Sequence, residues 1–157
     1  MALSRRKTHI LSSRNVKEPH PNGFDFLACH LRMVASWARL KRGEVRHFLH
    51  RWPSQRSMVS VYEKVRKKTG RDKLGVKDVR DIIDDLTRML RGWGMYFRTG
   101  NAERKFRLVD DYVWRRLKRF MKARKGGRPR GAGIKWTREF FWDLGLHRLQ
   151  GTVKYPS

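Results

Sequence analysis

The chain has 157 residues, with 39 Lys plus Arg against 14 Asp plus Glu and a formal net charge of +25. That length allows one domain with a modest core, and that charge repels itself unless a polyanion neutralises it, so nucleic acid is the leading partner class. The single cysteine, Cys29, excludes an internal disulfide and a Cys-based zinc site, and no apolar run approaches the ~20 residues of a bilayer span.

Residues 1–23 are polar and basic, broken at their end by Pro19, Pro21 and Gly23. Residues 1–14 carry no acid and resemble an organellar transit peptide in composition, with no apolar stretch of the secretory kind. Residues 24–33 open on strict alternation of apolar and polar side chains and read as one strand. A second short strand over 45–50 would close a β-hairpin across the turn-prone Lys41-Arg42-Gly43. Trp52-Pro53-Ser54 then interrupts the chain, and Ser54 or Ser57 is suited to cap a helix.

Three amphipathic helices follow. Met58, Val61, Tyr62 and Val65 share one face of the first, which Gly70 ends. The second sets Val79, Ile82, Ile83, Leu86, Leu90, Trp93 and Phe97 at intervals of three and four. Its acids lie in the first half and its arginines in the last turns, as the helix dipole favours. The third buries Phe106, Val109, Val113, Leu117, Phe120 and Met121. Trp136, Phe140, Phe141, Trp142, Leu144, Leu146 and Leu149 predict a shorter fourth helix, interrupted at Gly145, that folds back on the others. The expected fold is therefore mainly α, a bundle of three main helices plus a shorter C-terminal one, preceded by a small β-hairpin.

Two segments stand out. Residues 90–100 contain Arg91, Gly92, Trp93, Gly94, Tyr96, Phe97, Arg98 and Gly100 while the apolar rhythm still runs. Glycines on both sides of a tryptophan cost helix propensity and predict that backbone approaches backbone there, around an anchored ring. Residues 115–130 hold nine cations and no acid: Arg115, Arg116, Lys118, Arg119, Lys122, Arg124, Lys125, Arg128 and Arg130. The first half continues the third helix on its polar side, and the glycines after it make a flexible loop. Such a stripe follows a phosphate backbone without reading sequence, and adaptable arginines suit RNA.

Catalytic chemistry finds no support. Asp84-Asp85 and Asp110-Asp111 fall within helical patterns, where neighbours point about 100° apart and do not jointly hold a metal; they read as helix-surface charges. His47 and His50 have no third ligand at useful spacing. No cofactor motif or nucleophile arrangement occurs.

The run Leu90-Arg91-Gly92-Trp93-Gly94-Met95-Tyr96-Phe97, preceded by Val79-Arg80-Asp81-Ile82-Ile83-Asp84-Asp85-Leu86, resembles the maturase-specific domain of group II intron-encoded reverse transcriptases. Ser4-Arg5-Arg6-Lys7-Thr8-His9-Ile10 resembles the segment closing that family's polymerase palm. Gly23-Phe24-Asp25-Phe26-Leu27, with His30-Leu31-Arg32, is similar to its primer grip, for which Phe24, Phe26 and Leu27 are the matching residues. His50-Arg51-Trp52-Pro53-Ser54 resembles the start of the thumb helices, and Gly145-Leu146-His147-Arg148-Leu149 the closing Gly-Leu-x-x-Leu. The likeness covers roughly residues 4–153. One departure is local: Ala28-Cys29 stands where the family shows Gly-Phe.

The resemblance implies a thumb-like bundle, domain X, that binds structured intron RNA and assists its folding and splicing. The same bundle holds the template–primer duplex in full-length relatives. Residues 1–50 would be a palm remnant, 51–125 the maturase-specific bundle, and 126–157 a basic Gly-rich loop with a helix packing back. With neither the Tyr-x-Asp-Asp hairpin nor an endonuclease segment in the sequence, no polymerase or nuclease activity is expected of the chain alone. Trp93, Tyr96 and Phe97 are expected to build the bundle core. Two other readings are a non-catalytic subunit that docks on a separately encoded palm, and a domesticated basic protein that coats RNA. The expected location is the bacterial cytoplasm, or an organelle in a eukaryote, with no membrane partner.

Overall fold

The computed structural model describes residues 23–35, 43, 46–76, 78–124 and 136–155. Strands β1 (Gly23–Phe26), β2 (Cys29–Ala35) and β3 (His47–Pro53) form an antiparallel sheet in the order β1-β2-β3. The hairpin expected from sequence is thus a three-stranded sheet. Residues 24–33 are not one strand: the chain reverses at Leu27-Ala28, pairing Phe26 with Cys29 and Phe24 with Leu31. Neither turn residue is Gly, Asn or Asp, so alternation ran through the turn without a signal. Both nonetheless take positive φ, 45° at Leu27 and 66° at Ala28. A Cβ in that region costs about 1 kcal/mol or more, a cost that glycine at either position would avoid. Trp52 and Pro53 belong to β3 rather than to a break. Trp52 stacks on His30 with ring centroids 5.0 Å apart, and Pro53 ends an edge strand, where a missing donor costs little.

The helices are α1 (Gln55–Lys68), α2 (Val79–Phe97), α3 (Glu103–Arg124) and the short α4 (Arg138–Asp143). Ser54 caps α1 by accepting a hydrogen bond from the Ser57 amide at 3.3 Å, and Asp78 caps α2 by accepting from the Arg80 amide at 2.9 Å. A 14-residue helix such as α1 is marginal alone; packing stabilises it. Met58, Val61 and Val65 meet Ile83, Leu86 and Leu90 of α2 and Phe106, Val109, Val113 and Leu117 of α3 in one core. Each such side chain contributes about 1.5–3 kcal/mol on burial. The predicted apolar stripes are the buried faces of all three long helices, with Tyr62, Val79, Trp93 and Met121 half-buried at their edges.

The sheet is tied to this bundle by backbone. The Ala28 carbonyl accepts from the Ser54 amide and the Ser57 hydroxyl, both at 2.9 Å. The Arg51 carbonyl accepts from the Asn101 amide at 2.7 Å, and a Cβ on Gly100 would lie 2.5 Å from that carbonyl oxygen. At Gly100 the backbone of the bundle therefore meets the backbone of the sheet.

The fourth helix is shorter than the spacing of its apolar residues predicts. It stops at Asp143 because Gly145 turns the chain at φ +97, where the Gly145 amide donates to Trp142 and the Leu146 amide to Phe141. From Leu146 the chain crosses α2 and α3 without regular structure, turning at Gln150-Gly151. Thr87 of α2 donates to the Gly145 carbonyl and accepts from the His147 amide, each at 3.0 Å. Asp110 of α3 accepts from the amides of Leu149 and Gln150, the latter at 2.9 Å. Glu103 accepts from the Gly151 amide at 3.1 Å, and the Lys154 amide donates to the Arg98 carbonyl at 2.7 Å. Asp110 is thus a clasp for the C-terminal segment, not the helix-surface charge its pairing with Asp111 suggested. Its burial pushes its pKa up, against the two backbone amides and Arg148, which pull it down.

Candidate nucleic-acid interface

Helical geometry sorts the cations of α3. Steps of three and four place Arg104, Arg107, Arg115, Lys118, Arg119 and Lys122 around one outward line, opposite Phe106, Val109, Val113, Leu117 and Phe120. The line is about 27 Å long at 1.5 Å per residue. Asp111 is the acid on it, and Arg138 of α4 approaches its Oδ1 at 2.8 Å. Lys118 and Arg138 both lie against the Trp114 ring, at 4.9 and 5.1 Å from its centroid. Trp114 is itself fixed by donating its indole N–H to the Trp136 carbonyl at 3.1 Å. Cation–π attraction of this kind favours one placement of each side chain over the others.

Arg116 does not belong to that line. One residue past Arg115, its side chain turns toward α1 and donates to Thr69 Oγ1 at 3.0 Å, the Thr69 carbonyl at 3.1 Å and the Arg66 carbonyl at 3.3 Å. A cation on the carbonyl end of α1 satisfies orphan acceptors and complements the helix dipole. Arg124 lies at the exposed end of α3, and Lys125, Arg128 and Arg130 lie outside the described residues. Arg104 and Arg107 were not singled out from sequence, although the phase of the apolar stripe, continued one turn earlier, marks both.

The glycine-flanked tryptophan divides into separate roles. Phe97 is buried and Trp93 half-buried, with ring centroids 4.8 Å from each other, and Trp93 lies 5.6 Å from Phe106. Tyr96 is 53% exposed and its hydroxyl donates to the Leu27 carbonyl at 2.6 Å; it braces the β1–β2 turn rather than filling the core. Gly92 and Gly94 do not serve a backbone contact. A Cβ on Gly94 would lie 2.5 Å from Leu149 Cδ2, while one on Gly92 meets open space, and Arg91 beside it is exposed.

Phe24, Phe26 and Leu27, the primer-grip-like residues, are all exposed. By register Phe24 and Phe26 share their sheet face with Met33 and Leu49, which are also exposed. Cys29 packs half-buried against the core, and burial raises its thiol pKa. Among the described residues no three metal-ligating side chains converge, and no helix is long and apolar enough to cross a membrane.

Residues 58–138 match the model of a family described as group II intron, maturase-specific domain. The match runs from Met58, the first buried apolar residue of α1, to the start of α4, and so takes in the whole outward line of α3. A search of curated proteins finds none that matches.

Proposed function

The chain belongs to the group II intron maturase-specific domain family, and from that premise we propose that it binds structured intron RNA along the outward line of α3 and assists its folding and splicing. The observation that carries the reading is that line itself: six cations over about five helical turns, with its one acid approached by Arg138. Phosphate contacts are assigned to Arg115, Lys118, Arg119 and Lys122, extended by Arg104 and Arg107. Arg124, Lys125, Arg128 and Arg130 continue the same charge beyond them. Arg116 is assigned to stability instead. The role requires no catalytic group of this chain.

The test is binding of the full chain to a group II intron RNA and to an unrelated structured RNA of equal length, across a salt series. Tighter binding of the intron RNA at every salt supports the proposal. Equal affinities with equal slopes would leave only counterion release, the behaviour of a basic protein that coats any RNA.

A second reading, a non-catalytic subunit of a split reverse transcriptase, is favoured by the exposed apolar sheet face of Phe24, Phe26, Met33 and Leu49. In that reading residues 1–50 complete a separately encoded palm, which covers the face, and the bundle holds a template–primer duplex. Primer extension on mixing the two polypeptides tests it, and no extension removes it.

A further inference from the structure

A second basic region lies away from the α3 line. The last turns of α2 and the C-terminal segment after α4 enclose a groove of about 450 Å³, lined by Arg91, Gly94, Met95, Arg98, His147 and residues 151–154. No carboxylate lines it. Among the described residues, neither Arg91, Arg98 nor Lys154 has an ion pair through its side chain.

The order of groups along the groove is informative. Arg91 and His147 stand at one end, close enough for the arginine to depress the histidine pKa, though burial is the larger cause. Arg98 and Lys154 stand at the other, joined through the Lys154 amide and the Arg98 carbonyl. Seven residues of helix separate the two arginines by about 10 Å. Between them lies Met95, a flexible apolar side chain that is 58% exposed. Two cationic ends so far apart do not fit one small anion. The apolar middle does not fit a duplex, whose bases are turned inward. The arrangement fits a strand that presents phosphate, base, phosphate in succession.

We infer that this groove holds a single-stranded segment of RNA, with phosphates at Arg91/His147 and at Arg98/Lys154 and a base lying on Met95. The inference rests on the RNA-binding reading above but assigns a separate surface and a different RNA form. Met95 adapts to any base, so binding here is tolerant of sequence. Burial and the neighbouring Arg91 leave His147 uncharged in the free protein near neutrality, and an arriving phosphate favours its protonation.

The test uses the full chain with an unstructured oligouridine of about ten nucleotides, an RNA hairpin of equal charge, and vesicles containing phosphatidylserine. Three variants are compared: Arg91→Gln/Arg98→Gln, Met95→Ala, and Arg115→Gln/Lys122→Gln on α3. Melting curves should match the parent, because none of these side chains is buried. The first variant should weaken oligouridine binding about tenfold and reduce its salt slope by about 1.4, at 0.7 per phosphate contact, with the hairpin little affected. Met95→Ala should weaken the oligouridine alone and leave the slope intact. The α3 variant should weaken the hairpin more than the oligouridine. Equal losses on both RNAs from the first variant, no loss at all, or a loss confined to vesicles would overturn the inference. A chain that fails to prefer intron RNA while losing oligouridine through Arg91 and Arg98 would refute the maturase role and leave the groove standing.

Discussion

Alanine in place of Gly92 and of Gly94 should move stability in opposite directions. Both glycines lie within α2, and each replacement raises helix propensity by about 1 kcal/mol. At Gly92 the new methyl meets open space and the site is exposed, so the full gain survives and Gly92→Ala stabilises by about 0.5–1 kcal/mol. At Gly94 the methyl would lie 2.5 Å from Leu149 Cδ2. The end of a leucine often yields, but Leu149 is fully buried and its amide is held by Asp110 at 3.1 Å. Overpacking of that kind costs about 1–3 kcal/mol. The balance for Gly94→Ala is a loss of about 1 kcal/mol, which lowers Tm by about 2–4 °C in a chain of this size. Urea and thermal unfolding of the two variants give both signs directly. A double-mutant cycle with Leu149→Ala should show coupling of at least 0.5 kcal/mol or so at position 94 and none at 92. If Gly94→Ala stabilised as much as Gly92→Ala, Leu149 would not be seated on that glycine and the account of the motif would fail.

Arg116→Ala should lower stability by about 1–2 kcal/mol through the lost bonds to the end of α1, with RNA affinity little changed. Arg119→Ala, on the outward line, should do the reverse and reduce the salt slope by about 1. Ala28→Gly should stabilise by about 1 kcal/mol by relieving the positive φ, whereas Tyr96→Phe should cost about 0.5–1 kcal/mol and speed amide exchange in the β1–β2 turn. Asp110→Asn keeps an acceptor for Leu149 and Gln150 but removes a titration. Burial raises the Asp110 pKa above 3.8, so just above that pH the folded state holds more protons than the unfolded. The group's contribution is therefore fullest below 3.8 and declines as pH rises through the raised value. The parent should show that decline in a melting series and the asparagine variant should lack it. An unchanged pH profile would mean that Asp110 is not desolvated.

The bundle was legible because its signals are local and repeated. Periodicity in 79–97 and 106–121 names the residues that form the core, and Ser54 is the cap that its chemistry suggested. Features that depend on a distant partner were hidden. Nothing near Arg116 in the sequence indicates that Thr69 lies beside it, and nothing near Asp110 points to Leu149. The turn at Leu27-Ala28 was missed for the opposite reason. It uses residues that dislike the conformation, and it is held by Tyr96, Ser54 and Ser57 from elsewhere in the chain. The groove on α2 escaped because His147 and Lys154 come from a C-terminal segment whose apolar spacing reads as helix up to Leu149, whereas the helix ends at Asp143.

The placement of the acids explains how a chain with so large a positive charge folds at all. Asp78 caps a helix, Asp85 pairs with Lys68 and Arg88, and Asp111 with Arg138. Glu103 and Asp110 receive backbone amides of the C-terminal segment. Asp85, Glu103, Asp110 and Asp111 join one element to another, and apart from Asp111, which Arg138 pairs, none of these carboxylates lies on the outward line of α3 or lines the groove on α2. Had the same acids been scattered over those surfaces, self-repulsion would be lower, but so would the potential that gathers phosphates. The same acids that hold the fold together therefore leave it incompletely neutralised, and in the proposed role RNA supplies the remaining countercharge.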